Sequence, residues 1–389
     1  MRAGAWIVAC LACAALIAGD TLVAGDVRDA TGGASSRLRA LGSGNLDAGF
    51  ARALEPRPFV FPADHGPHPA FRHEWWYVTG NVDATGPSMP PGSAGTRFGF
   101  ELTLFRFALA PPAAVAGGAS TASASGGTRT VSAWRTRQVY LAHLAITDVA
   151  RGRFHFGERL SRDALGLAGA QAEPFRVWLG DWSIGATPDG SWRLVAADGP
   201  YALDLALGAA KPPAANAPGA NGPVANSSIA NSPVANGPVA NGDRGLSRKS
   251  SVPGAASYYY SIPRLPVSGT IVRNGQPLAV RGSAWLDREW GSGALGADQE
   301  GWDWFALQLD DGSALMFYAL RLRGGARDPH SAGTFVAADG TARPLADADV
   351  QIHATATWDS PRGGRYPARW RVSVPSLRLE LDVRPVLAD

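Results

Sequence analysis

An all-β protein, its antiparallel sheets closed into two barrels packed together, is the fold predicted by three features of the 389-residue sequence. Apolar residues recur with a period of two rather than 3.6, as half-buried strands require. Asp-Gly or Asn-Gly pairs stand between apolar stretches at 189–190, 198–199, 274–275, 311–312 and 339–340, and such pairs accept the positive φ angles of two-residue hairpin turns. No convincing amphipathic helix of more than three turns competes with these signals. Closure is the economical arrangement, because an open sheet leaves unpaired edges.

Residues 1–25 read as a secretory signal peptide: Arg2, then an apolar run from Ala3 to Gly19, then small residues at Ala24 and Gly25. A secreted or periplasmic location follows as an expectation. No second apolar run long enough to span a bilayer occurs, so no integral membrane segment is expected in the mature chain. Both cysteines, Cys10 and Cys13, lie in the leader, so a processed chain has no disulfide, thiolate nucleophile or Cys-bound metal.

The first barrel is expected over 50–207. Phe98, Phe100, Leu102 and Leu104 alternate with small or polar residues, and Phe105, Phe107 and Leu109 continue in the opposite phase, which predicts a strand with a bulge. The clearest hairpin has Trp192, Leu194 and Ala196 entering the turn and Tyr201, Leu203, Leu205 and Leu207 leaving it. A polar insert runs from Pro111 to Gly127, and a low-complexity linker is expected over 208–257, with the pentapeptides PVANS, SIANS, PVANG and PVANG in tandem. The second barrel is expected over 258–389. Lys and Arg number 36 against 33 Asp and Glu, a scattered net charge of +3, which argues against a nucleic-acid partner.

Three segments combine polar and aromatic residues within a chain holding thirteen tryptophans. In residues 64–81, His65, His68, His73 and Glu74 are metal-ligand types, but Tyr77 stands where a zinc-protease helix needs its second His. Hydrogen bonds at a barrel mouth are the better reading of that group. In residues 140–148, His143 lies on the face opposite Tyr140, Leu144 and Ile146, facing either a barrel interior or solvent. In residues 283–312, Asp287, Arg288, Glu289, Asp303 and Asp310 sit among Trp285, Trp290, Trp302 and Trp304. A carboxyl walled by indoles loses hydration, so its pKa rises and it can donate a proton near neutral pH. Asp287 is therefore the candidate acid, against an ion pair of Arg288 with Asp287 or Glu289. Ser292 lies in WGSGA, which lacks the flanking glycines of G-x-S-x-G, and no phosphate loop or dinucleotide fingerprint occurs, so no cofactor is expected.

The segments PADHGPHPAFRHEWWYVTGNV, VYLAHLAITD, YYYSIPRLPVSG and GSAWLDREWGSGALGADQEGWDWFALQLDDGSALMFYALR together resemble the AttH/CrtC-type family of secreted lipocalin-like proteins, over most of 58–385 outside the inserts. That family includes carotenoid 1,2-hydratases and members labelled only as secreted hydrolases. The resemblance implies two lipocalin-like β-barrels packed together. For the hydratases it implies protonation of an isoprenoid double bond and capture of the cation by water, without metal or organic cofactor. By motif position the acid falls on Asp287 with Trp285, and the aromatic run upstream supplies Tyr258 and Tyr260. His73, Glu74, Trp75, Tyr77, His143, Trp290, Trp302 and Trp304 are expected to line the cavity for an apolar isoprenoid, carotenoid or lipid. The chain departs from the hydratases in having Tyr-Tyr-Tyr-Ser where they carry a His. It also ends at VRPVLAD, before a further Trp- and Gly-rich segment usual in the family, so the second barrel is expected to be incomplete. Carriage of the same ligand without catalysis, and hydrolysis, are the other functions the resemblance allows.

Overall fold

The computed structural model describes residues 48–85, 97–112, 136–208, 237–293, 295–360 and 363–387. The leader, residues 113–127 of the insert and the linker up to 236 lie outside the described residues. Among the described residues the regular elements are strands, joined by turns and short 3-10 segments.

The largest sheet is built from β1 (His73–Ala84), β2 (Arg97–Ala108), β3 (Gln138–Asp148), β4 (Arg153–Arg162), β5 (Ala168–Gln171), β6 (Arg176–Leu179), β7 (Trp182–Ala186), β8 (Trp192–Asp198) and β9 (Tyr201–Leu207). Four later strands join it: β10 (Val239–Ala240), β11 (Leu246–Arg248), β12 (Ala256–Arg273) and β13 (Gln276–Gly291). The order β4-β3-β2-β1-β13-β12-β9-β8-β7-β6-β5 curls into a nearly closed barrel, with β10 and β11 on the free part of the β12 edge. Arg159 of β4 crosses the remaining seam, binding Asp181 and donating to the Ala197 carbonyl at 3.0 Å. Val78, Leu102, Leu144, Leu194, Leu203 and Leu286 point inward as their period of two predicts. Each such fully buried side chain contributes about 1.5–3 kcal/mol.

All five Asp-Gly and Asn-Gly pairs turn hairpins, and their glycines have φ between 52° and 89°. Two expectations change. The phase slip in β2 is not a bulge: its pairing with β1 and β3 is continuous, and Phe105 and Phe107 lie on the outer face, where Phe105 packs with Trp75 and Leu141. Nor does the linker part the two folding units. β12 and β13 follow it yet pair with β9 and β1, filling the gap between two strand edges that would otherwise be open. Residues 237–257 of the expected linker are part of the fold, since Val239, Asn241 and Ser247 are buried along β12.

Two smaller sheets follow: β14 (Gln299–Gln308), β15 (Ala314–Leu322), β16 (Ala332–Val336) and β17 (Ala342–Ala346), then β18 (Gln351–Asp359), β19 (Arg365–Val374) and β20 (Leu379–Val383). The four-stranded sheet is covered on both faces, which explains the unbroken apolar run at 314–320. Phe305, Leu307, Leu315 and Phe317 face Val372, Val374 and Leu381 of the three-stranded sheet. Met316, Tyr318, Trp302 and Trp304 face the outer wall of the barrel, against Tyr259 and Trp285.

Candidate functional site

Asp287 sits on that outer wall, 4% exposed. Its Oδ1 accepts from Ser261 Oγ at 2.5 Å and Trp285 Nε1 at 2.6 Å, and its Oδ2 from Tyr259 OH at 2.6 Å. Trp304 Nε1 donates to the same Tyr259 oxygen at 3.3 Å, and Tyr77 meets the Trp304 ring edge-on at 5.1 Å. Burial pushes the Asp287 carboxyl up, the three hydrogen bonds pull it back, and nearby Glu289 adds to the rise, leaving it at about 6. An indole N–H can only donate, whereas a phenol can donate or accept. The proton of the acid form therefore belongs on Oδ2, against Tyr259. Burial, and then the neighbouring Asp287 and Glu289, hold the Tyr259 phenol itself well above its ordinary range.

Tyr258 and Tyr260 do not join this site. Leu265 faces Ala284, but Ile262 faces Leu286, so β12 carries one extra residue between them. This bulge at 263–264 reverses the inward and outward alternation of everything before it. Counted back from the Asn274-Gly275 turn without it, Tyr258 and Tyr260 fall on the Asp287 face; with it, Ser261 stands opposite Asp287 and Tyr259 beside it. Tyr258 OH donates instead to the Glu55 carbonyl at 2.9 Å, and Tyr260 OH meets His65 Nδ1 at 2.7 Å inside the barrel.

The barrel interior holds a second polar cluster. Glu74, 0% exposed, is gripped by Arg106 and Arg288. Burial alone would raise its carboxyl, yet the two guanidiniums hold it well below the usual range. His68 bridges Asp64 at 2.9 Å and Glu74 at 3.3 Å and stacks flat on Trp290 at 3.8 Å. Arg288 thus pairs with neither Asp287 nor Glu289, because neighbours along a strand point to opposite faces. His65, His68 and His73 do not converge: burial pushes His65 down to about 3 against Tyr260, while His73 lies against Trp75 on the outer side. Among the described residues, no group of three His, Cys, Asp or Glu is placed to hold a metal ion.

The AttH-like family profile matches residues 52–232 and 230–389. The chain belongs to the AttH-like family. It is similar to a Nitrosomonas europaea crystal structure carrying a provisional AttH assignment, at 30% identity and a TM-score of 0.64 over 84% of each chain. It is also similar to kievitone hydratase from Nectria haematococca, at 12% identity and a TM-score of 0.49, over 84% of this chain and 82% of that one. No curated protein matches it.

In this AttH-like protein one row of side chains crosses the outer face of the sheet: Glu158, His143, Thr103, Tyr77, Asp287 and Ser261, each opposite the next. His143 is thus on the outer face, yet it is 2% exposed, bound to Glu158 at 3.1 Å and set between Phe105 and Phe156. Three strand spacings of about 4.8 Å put it roughly 14 Å from Asp287, too far to act on one atom. Of the residues named from the sequence, the fold gathers Trp285, Tyr77, Trp302 and Trp304 around Asp287. It sends Glu74, Trp290, Tyr258 and Tyr260 inward, and leaves His73, Trp75 and His143 elsewhere on the outer face. Asp303 points away and meets Arg321 at 3.4 Å.

Sequence reasoning missed Tyr259, Ser261 and Lys249. Lys249 Nζ lies 3.2 Å from Glu289 Oε1 and 3.0 Å from Ser247 Oγ, and 4.0 Å from the centre of the Tyr318 ring. A strand-parity count through Pro263 is the signal that finds the first two. Nothing local marks Lys249, which stands just past β11 in a segment that reads as linker.

Proposed function

We propose that this AttH-like protein is an extracytoplasmic, cofactor-free hydro-lyase that adds water to a double bond of an apolar, isoprenoid-like substrate, with Asp287 as the acid. The observation that carries this reading is a buried carboxyl at about 6 ringed by Tyr259, Trp285 and Trp304, with no cation bonded to its oxygens among the described residues. An acid of that strength can give up its proton near neutral pH. Indole and phenol faces attract the carbocation that protonation creates. Ser261 and Trp285 fix the carboxyl plane, so the proton on Oδ2 has a defined direction. Carotenoid hydration is the finer form of this proposal. The extracytoplasmic location rests on the apolar segment at the N-terminus.

The test is incubation with an acyclic carotenoid and mass detection of its water adduct. Asp287→Asn is expected to lower adduct formation by about 10²- to 10⁴-fold, the usual worth of a positioned acid, with folding intact. Undiminished turnover in that variant would remove Asp287 from the acid role. The competing reading is carriage of the ligand without turnover. It predicts a ligand that co-purifies unchanged, and equally in both forms, by native mass spectrometry.

A further inference from the structure

Two carboxyl groups share the Asp287 face of β13, and their surroundings differ. Among the described residues Asp287 receives neutral donors only. Glu289, 6% exposed, takes Ser257 Oγ and the Lys249 ammonium on Oε1, while no hydrogen bond to its Oε2 is found among the described residues. Lys249 is a placed residue. Its N–H donates to the Ala255 carbonyl at 2.8 Å and its carbonyl accepts from Gln299 Nε2 at 2.6 Å. Gln299 is tied in turn to Asp328 at 2.8 Å. The charged and titratable groups facing the pair are Lys249 after β11, Tyr259 on β12, Tyr318 on β15, and His73 and Tyr77 on β1. Lys249 is the one permanently cationic side chain among them.

We propose that Asp287 and Glu289 are a divided acid–base pair, in which Lys249 holds Glu289 as the charged member that takes the proton of the attacking water. An ammonium in contact favours a carboxylate, whereas burial with neutral donors favours an acid, and two groups pushed apart in this way can take opposite roles. The inference rests on the hydro-lyase reading and deepens it. Asp287 gives its proton to one alkene carbon as the π pair becomes a C–H bond, leaving the other carbon cationic. A water lone pair forms the C–O bond, and the surplus proton of that water passes to Glu289 Oε2. Return of the proton through solvent from Glu289 to Asp287 restores both groups, and the net change is addition of one water. Lys249 touches no reacting atom in this scheme and is a positioning residue.

The test uses the full-length protein with ¹³C-labelled Asp and Glu carboxyls, followed by isotope-edited infrared spectroscopy through the acid range. Asp287→Asn and Glu289→Gln assign the two signals by their loss. Loss of the ion pair in Lys249→Met is expected to move the Glu289 carboxyl band and to leave the Asp287 band in place, and Lys249→Arg to restore it. A Glu289 band unmoved in Lys249→Met, or an Asp287 band moved as far, overturns the proposal. With an acyclic isoprenoid in D₂O, Glu289→Gln is expected to lower alcohol formation by about 100-fold while deuterium still exchanges into the alkene. Equal loss of both overturns the base role. A native protein that neither hydrates nor exchanges the probe sinks the hydro-lyase reading itself, and the band shift in Lys249→Met still decides the Lys249–Glu289 pair.

Discussion

Glu74 and Asp287 lie on neighbouring strands of one sheet, both buried, yet on opposite faces and in opposite electrostatic states. Glu74 is the anion of an internal ion cluster, with Arg106 and Arg288 on its two oxygens. Asp287 has the same functional group and is likewise buried, but among the described residues only hydroxyl and indole donors reach its oxygens. Burial therefore does not decide what a carboxyl can do; the charge of its partners does. A carboxylate clamped by two guanidiniums has no proton to give. One held by neutral donors near 6 can exchange its proton.

The largest effect that would break this division is on stability. Arg288→Met strands Glu74 in the interior with half its counter-charge, and is expected to cost about 3–5 kcal/mol in denaturant unfolding, whereas Asp287→Asn leaves no buried charge unpaired. A loss from Arg288→Met no greater than from Asp287→Asn would show that the interior cluster is not structural.

The two carboxyls also predict opposite responses to pH. Asp287 stands at about 6 in the fold against 3.8 in a free chain, so between those values the folded state binds more protons than the unfolded. Its contribution to stability is whole below 3.8 and lost as pH rises to about 6, with a ceiling of about 3 kcal/mol for a shift of roughly two units. Glu74, held low, contributes above its ordinary 4.5 and loses that contribution as pH falls. Asp287→Asn is expected to flatten the first slope and leave the second, as read from unfolding midpoints across the acid range.

The smallest effect concerns adjacent tyrosines. Tyr259→Phe removes a hydrogen bond that lowers the Asp287 pKa, so the acid form should persist to higher pH and the alkaline limb of any activity profile should move up by about half a unit to one unit. Tyr260→Phe loses the His65 contact, worth about 1 kcal/mol of stability, and should leave that limb in place. A limb that follows Tyr260 instead would show that Tyr260, and not Tyr259, shares the Asp287 face of β12.

Those adjacent residues also mark how far reading along the chain reaches. The five turn pairs, the inward period of Leu194 to Leu207 and the aromatic wall around Asp287 were all legible, because each depends on neighbours within a few positions. Which tyrosine serves Asp287 was not legible, since it depends on one extra residue in β12. Phe105 and Phe107 misled for a related reason: a strand covered on both faces imitates a phase slip. Lys249 was hidden by its setting, one of three cations that follow low-complexity repeats whose last copy turns out to pair with β12.

Local chemistry alone settles that this chain is all-β, where most of its hairpins turn, and that Asp287 lies in an indole-rich stretch, because φ preference and side-chain alternation are properties of short segments. Only the assembled fold decides that Arg288 turns away from its own neighbours to Glu74, 214 residues earlier in the chain. It likewise brings Lys249, Tyr259 and Trp304 from three separate elements to one carboxyl pair. Partner choice across a sheet is set by register and by which edges must close, and a charge takes its role from what those long-range pairings place beside it.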